Sequence, residues 1–288
     1  MANSAEIGII GGTGVYDPGL FSSKRETKMH TPYGEPSDLV TIGEYSGIKI
    51  AFIPRHGRGH RIPPHSINSR ANIWALKQLG VKRIIAPSAV GSLQEGYKPG
   101  DIAIPDQFID FSKKRQYTFY DGGQVCHVSV ADPFCPELRN TAIDRMKKLK
   151  FPMHNKATYV CIEGPQFSTL AEAHVHRQLR FEVIGMTNVT EAKLAREAEI
   201  CYASAAMITD YDCWHPEHAA VTVEEIIANL NKNAENAHRM VREAVRTIPV
   251  QRSCKCGAAL KHAMITDPKV VPAATKKRLA AIIGKYIS

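Results

Sequence analysis

Short apolar runs closed by glycine or proline alternate with longer stretches whose apolar residues recur every three or four positions. Ile7-Gly-Ile-Ile-Gly-Gly12 predicts a buried first strand ending in a tight turn. Residues 48–53 predict a second strand, stopped by Pro54. Residues 66–79 predict a helix with Ile67, Ala71, Ile73, Trp74 and Leu79 on its apolar stripe and Gly80 as its stop. Further strands are predicted at 81–86, 101–105, 158–162, 181–186 and 200–208, and helices at 136–149 and 191–198. Thr222-Val-Glu-Glu225 is a capping box. It opens a long helix with Ile227, Leu230, Ala234, Ala237, Val241 and Val245 on one face. A polar stretch follows Pro249, and a last helix starts at Pro272.

Strands alternating with helices, without a linker or repeat, predict a single α/β domain over residues 1–288. Its core spans about 7–248 and a helical C-terminal tail about 250–288. Hydrophobic residues make up 44% of the 288, enough for a sizeable core without staples. The net charge of +9 suggests an anionic partner. That charge is spread out, with short clusters only at Lys113-Lys114-Arg115, Lys147-Lys148 and Lys276-Lys277-Arg278, and no nucleic-acid motif is present. The last cluster reads as a solvated helix face. Seven scattered cysteines argue against a secreted disulfide framework. Cys254-Lys-Cys256 lacks the second ligand pair of a zinc site and reads as two thiols in a polar segment or else as a disulfide or redox pair. Neither a signal peptide nor a membrane span is legible, so the cytoplasm is the expected location.

The chemistry concentrates at the ends of the apolar runs. Residues 201–212 pass from small apolar side chains into Asp210-Tyr211-Asp212. Carboxylates at i and i+2 of an extended segment share a face and can grip one polar edge, such as that of an aminopurine. Gly11-Gly12-Thr13-Gly14 suits close approach of an anion, with a threonine hydroxyl as donor. The dinucleotide fingerprint is broken, since its third glycine is replaced by Asp17. Arg55-His56-Gly-Arg-Gly-His60 offers a phosphate cradle, or else an exposed basic loop; its arginines argue against a metal. Ser88, Ala89 and Thr187 sit just beyond predicted strands, where hydroxyls and amides can complete an oxyanion site or simply cap the strand. Phe167 reads either as a stacking platform for a flat ligand or as a core residue. His174 with His176, and His215 with His218, carry no site.

In this order and spacing, several motifs together resemble the trimeric purine nucleoside phosphorylase family, and within it the branch that cleaves methylthioadenosine. They are Gly11-Gly-Thr-Gly14, Pro54-Arg-His-Gly-Arg-Gly-His60, Asn72-Ile-Trp-Ala-Leu76, Asp106-Gln-Phe-Ile-Asp110, Glu163-Gly-Pro165, Met186-Thr187 and Thr209-Asp-Tyr-Asp212. The match runs from Ile7 to about Leu230. Local departures are Gln166, Leu170, Ala173 and Thr190. The resemblance implies a mixed β-sheet, a distorted barrel, flanked by helices. It implies reversible phosphorolysis of S-methyl-5′-thioadenosine to adenine and 5-methylthioribose 1-phosphate, without cofactor or metal and with phosphate as co-substrate. Thr13, Arg55, His56, Ser88, Ala89 and Thr187 fall on phosphate-binding positions. Phe167, Met186, Asp210, Tyr211 and Asp212 fall on nucleoside-binding ones, with Asp210 and Asp212 also the catalytic pair. Asp210 stands as the acid that protonates N7 or, ionised, as the group that orients the base. Ser168 and Val223 fall on positions tied to adenine and 5′-methylthio preference, and His127 on one supplied by a neighbouring subunit. A homotrimer or a dimer of trimers is expected, with no nucleic acid or membrane partner. The alternatives are a phosphorylase for inosine or methylthioinosine, and a non-catalytic nucleotide-binding protein.

Overall fold

A computed structural model describes residues 4–12, 21–216, 223–249 and 251–287. The strands are β1 (Ile7–Gly11), β2 (Ser22–Thr27), β3 (Val40–Tyr45), β4 (Ile48–Pro54), β5 (Arg83–Ser92), β6 (Ile102–Ala103), β7 (Gln107–Asp110), β8 (Met153–His154), β9 (Thr158–Cys161), β10 (Val183–Gly185) and β11 (Cys201–Asp210). The helices are α1 (Ser69–Gln78), α2 (Pro136–Lys148), α3 (Leu170–Gln178), α4 (Asn188–Glu197), α5 (Val223–Thr247) and α6 (Ala273–Ile283). The expected mixed α/β architecture is present. One path runs β2-β3-β4-β1-β5-β10-β9-β7, and β11 leaves it at β5 to pair with β6.

β5 is the branch point. It lies parallel to β1 and β11, and its last residues turn to pair antiparallel with β10. That change of partner brings the C-terminal ends of β5, β10 and β11 together. All ten residues of β11 are buried, which explains its small side chains. Cys201, Ala203, Ala205 and Met207 face the cluster that holds α2 and α5, while Ala206 and Ile208 face a separate one. This is the period-two alternation of a strand covered on both faces.

α1 starts later than expected. Pro64–Ser66 form a separate 3-10 turn, and the Asn68 side chain caps α1 by accepting from the Ala71 amide. β2 and β7 were not legible as strands because exposed polar residues dilute their pattern, and β3, though its first four residues are buried, carries only two large apolar side chains among Thr41, Gly43 and Glu44. The capping box at Thr222 and the side chains of Ile227, Leu230, Ala234 and Ala237 lie outside what is described; Val241 and Val245 are buried as expected. In α6, Leu279, Ile282 and Ile283 join the same core cluster as α1. Among the described residues, no helix is long and apolar enough to cross a membrane.

Candidate active site

The ends of β5, β10 and β11 open into a cavity of about 680 Å³. Arg55, His56, Ser88, Ala89, Phe167, Ser168, Met186, Thr187, Asp210 and Asp212 all line it. Fragments scattered over more than 150 residues of sequence therefore meet in one pocket.

One end is built for an anion. Thr187 is buried at the N-cap of α4, whose first amides carry the positive end of the helix dipole. The Ser88 hydroxyl is buried without a hydrogen-bond partner. Ser88 and Ala89 do not lie beyond a strand, as expected, but within β5, because the strand continues to Ser92 against β11. Gly12 must be glycine: a Cβ there would sit 2.5 Å from Arg55 Nη1 and 2.8 Å from the Pro87 carbonyl. Thr13 lies outside the described residues.

Arg55 is not the open cation that its loop suggested. It is fully buried and grips Glu191 through Nε (2.5 Å) and Nη2 (3.0 Å). Nη1 donates to Pro87 O at 2.9 Å and Nη2 to Ile10 O at 3.2 Å. Four of the guanidinium's five donors are thus committed to the scaffold, leaving one Nη1 proton. Tyr202 donates to the same Glu191 carboxylate at 2.7 Å. His56 donates from Nδ1 to Ile62 O at 2.9 Å, which makes Nε2 the acceptor of a neutral ring. Burial, helped by the Arg55 charge, pushes His56 down to about 4. Arg58 of the same loop is exposed and paired with Glu26.

The other end holds the carboxylates. Asp210 closes β11, but Asp212 is not its extended neighbour: φ at Asp212 is +52°. The ladder shifts register between Ile208 and Asp210, and the Asp212 amide donates to Asp210 Oδ1 at 2.8 Å. A turn, not a pleat, brings both acids to the pocket. Thr209 donates to Asp210 Oδ2 at 2.7 Å. Asp212 Oδ2 is buried with no hydrogen-bond partner. Burial, opposed by the neighbouring Ser168 hydroxyl and reinforced by the Asp210 charge, pushes the Asp212 carboxyl up to about 6. Gly91 makes room for the pair, since a Cβ there would lie 2.8 Å from Asp210 Oδ1.

Tyr211, which the resemblance places at the substrate, does not line the pocket. Its ring packs edge-on against Trp214 at 5.7 Å, because the same turn that gathers the acids sends the intervening side chain outward. Phe167 is 46% exposed at the pocket rim, which rules out the core reading. His127 is exposed and does not line the pocket of its own chain. The side chain of Val223 lies outside what is described.

Sequence reasoning missed two residues. Glu191 looked like part of an ordinary amphipathic helix, and an acid in the first turn of α4 was its only signal. Arg115 looked like one third of a surface basic cluster, yet it is buried. It donates to Glu163 Oε1 (2.6 Å), Pro64 O (2.7 Å) and Met186 O (3.0 Å), tying three pocket segments together.

Comparison with known proteins adds an independent line. Residues 6–246 match the model of the phosphorylase superfamily. The S-methyl-5′-thioadenosine phosphorylase of Koribacter versatilis is 56% identical over 98% of this chain and 97% of its own length. A crystal structure of a methylthioadenosine phosphorylase from an antarctic soil metagenomic library superposes with a TM-score of 0.92 at 51% identity, covering 97% of this chain and 99% of that one. The Schistosoma mansoni methylthioadenosine phosphorylase, solved with adenine, gives a TM-score of 0.85 at 36% identity over 90% of this chain and 96% of its own. By family match, near-full-length identity and shared fold, the chain belongs to the phosphorylase superfamily and, within it, to the S-methyl-5′-thioadenosine phosphorylases.

Proposed function

We propose that the chain catalyses reversible phosphorolysis of S-methyl-5′-thioadenosine, giving adenine and 5-methylthioribose 1-phosphate. The observation that carries this reading is a single cavity with an anion site at one end and a buried carboxylate pair at the other. Its volume of about 680 Å³ lies within the range of small-molecule sites.

Phosphate sits at the α4 N-terminus, where the Ser88 hydroxyl and the remaining Arg55 proton donate to it. Neutral His56 accepts from a phosphate hydroxyl through Nε2, and Thr13 is the further phosphate ligand that the resemblance implies. The aminopurine edge meets the two aspartates: Asp212 Oδ2 accepts from the 6-amino group, and Asp210 faces N7. The C1′–N9 bond breaks toward an oxocarbenium-like state, which the adjacent phosphate anion stabilises and then captures through a new C1′–O bond. N7 of the departing adenine takes a proton from the aspartate pair, and the proton that phosphate loses on forming the C1′–O bond restores it through solvent. Phe167 stacks on the base from the rim. Val90, Ile184 and Met186 give the middle of the pocket an apolar wall suited to the sugar. Val223 and Ser168 tune the preference for methylthio and adenine groups, and His127 of a neighbouring copy covers the 5′ end. That last role requires an oligomer, for which the family resemblance makes a homotrimer the expected form. The reaction balances with phosphate alone, and no cofactor or metal enters it.

The test is phosphorolysis of S-methyl-5′-thioadenosine, adenosine, inosine and methylthioinosine side by side, with and without phosphate. Phosphate-dependent adenine release, fastest with the methylthio substrate, is the expected result. Preference for the hypoxanthine nucleosides would overturn the role of the aspartates.

A further inference from the structure

The cysteine pair at 254 and 256 is not isolated in space. The fold supplies the two partners that its sequence neighbourhood lacks. Cys135 is the N-cap residue of α2, and Cys201 is the first residue of β11. The sulfur atoms of Cys135, Cys201, Cys254 and Cys256 all lie within 4.8 Å of one another. Cys135, Cys201 and Cys256 are buried, and Cys254 is partly so.

We propose that these four cysteines form a structural zinc site, separate from the active site. Four thiolates at about 2.3 Å in a tetrahedron stand about 3.8 Å apart, which the cluster meets with small adjustments. The Cys201 and Cys254 sulfurs stand 3.3 Å apart. That is far beyond a disulfide bond of about 2.05 Å. An all-sulfur tetrahedral donor set selects a soft cation such as zinc over magnesium or calcium. An outer partner is also in place. Arg196 Nη1 donates to Cys256 Sγ at 3.5 Å, as expected beside a tetrathiolate centre of net charge −2. The thiols release their protons to solvent as the four bonds to the cation form.

The site would pin the C-terminal segment, through the 3-10 turn Lys255–Ala258, onto the start of β11 and the head of α2. β11 then carries zinc at one end and the aspartates at the other, about 30 Å apart at 3.3 Å per residue. Its role is stability, not chemistry.

Elemental analysis of the full chain, purified without chelator in the presence of reductant, should find about one zinc per chain. Chain stripped of metal under reducing conditions should bind one equivalent of cobalt(II), with sulfur-to-cobalt charge-transfer bands and strong tetrahedral visible bands that zinc abolishes. Zinc loading should raise the melting temperature and leave the phosphorolysis rate unchanged. The double substitution Cys254→Ser and Cys256→Ser should lower zinc occupancy at least tenfold. The proposal is overturned if the stripped wild-type chain shows no tetrahedral cobalt spectrum. It is equally overturned if the isolated chain holds metal-free thiols or two disulfides and takes up no zinc after reduction. The cobalt titration uses the wild-type chain, so a variant that fails to fold does not shield the proposal.

Discussion

At the anion end of the pocket, Arg55 has committed its donors to Glu191, Pro87 and Ile10, whereas at the base end Asp212 leaves one buried oxygen without a partner. His56 is held neutral by burial and a neighbouring cation; Asp212 is pushed toward its neutral form by burial and a neighbouring anion. The first arrangement is a rigid frame that presents a helix terminus and a hydroxyl. The second is a pair of acids in which Asp210 is hydrogen-bonded through both oxygens and Asp212 keeps one buried oxygen without a hydrogen-bond partner. Damage at the frame should therefore appear mainly in stability, and damage at the acids mainly in turnover.

The largest expected effect breaks the frame. Glu191→Gln leaves the fully buried Arg55 guanidinium without its counter-charge, which should cost roughly 3–5 kcal/mol of folding stability. Urea unfolding measures this, and a change within 1 kcal/mol would show that the pair is not the anchor. At the other end, Asp210→Asn should leave the urea midpoint nearly unchanged while lowering kcat/KM for methylthioadenosine by about 10²–10⁴. Unchanged turnover would remove Asp210 from the mechanism.

The pH dependence of stability sharpens the contrast. Between pH 3.8 and about 6, folded Asp212 holds a proton that the unfolded chain has released. Its contribution thus falls as pH rises through that window and is absent above it. His56 has the opposite sign. Between about 4 and 6.5 the unfolded chain binds a proton that the folded chain refuses, so stability is complete above the window and is lost on acidification. Each slope amounts to about 3 kcal/mol, and in wild type they largely cancel. Asp212→Asn should expose the acid loss, and His56→Gln should remove it, as read from unfolding midpoints between pH 4 and 7. Parallel profiles in the two variants would contradict the assignment. The smallest effect is at the rim: Phe167→Ala should raise KM about tenfold with little change in stability, since its ring is half exposed and its stacking contributes about 1 kcal/mol. A loss of stability without a KM change would mark it as a packing residue.

Most buried strands were legible, because runs such as Ile7–Gly11 and Cys201–Asp210 are wholly apolar or small until their ends. β2 was not legible, because an edge strand with exposed polar side chains carries no apolar signal. Within the site, Arg55, Ser88, Thr187 and the two aspartates could be named from residue type and position alone. Their states could not. Arg115 and Glu191 are ordinary polar letters until the fold buries them, and Tyr211 was placed at the site by the resemblance alone, whereas the face shared by Asp210 and Asp212 already excludes the residue between them.

The sequence by itself determined the fold class, the ends of the chemistry-bearing strands and the kinds of group they deliver, because periodicity and residue type are local properties. Only the tertiary structure decided which charges are already paired, which histidine is neutral and which carboxyl is pushed up, because burial and partners come from segments far apart in the chain. The same holds for the cysteines. Cys254 and Cys256 are a bare pair in sequence and half of a cluster in space, since α2 and β11 bring Cys135 and Cys201 to them.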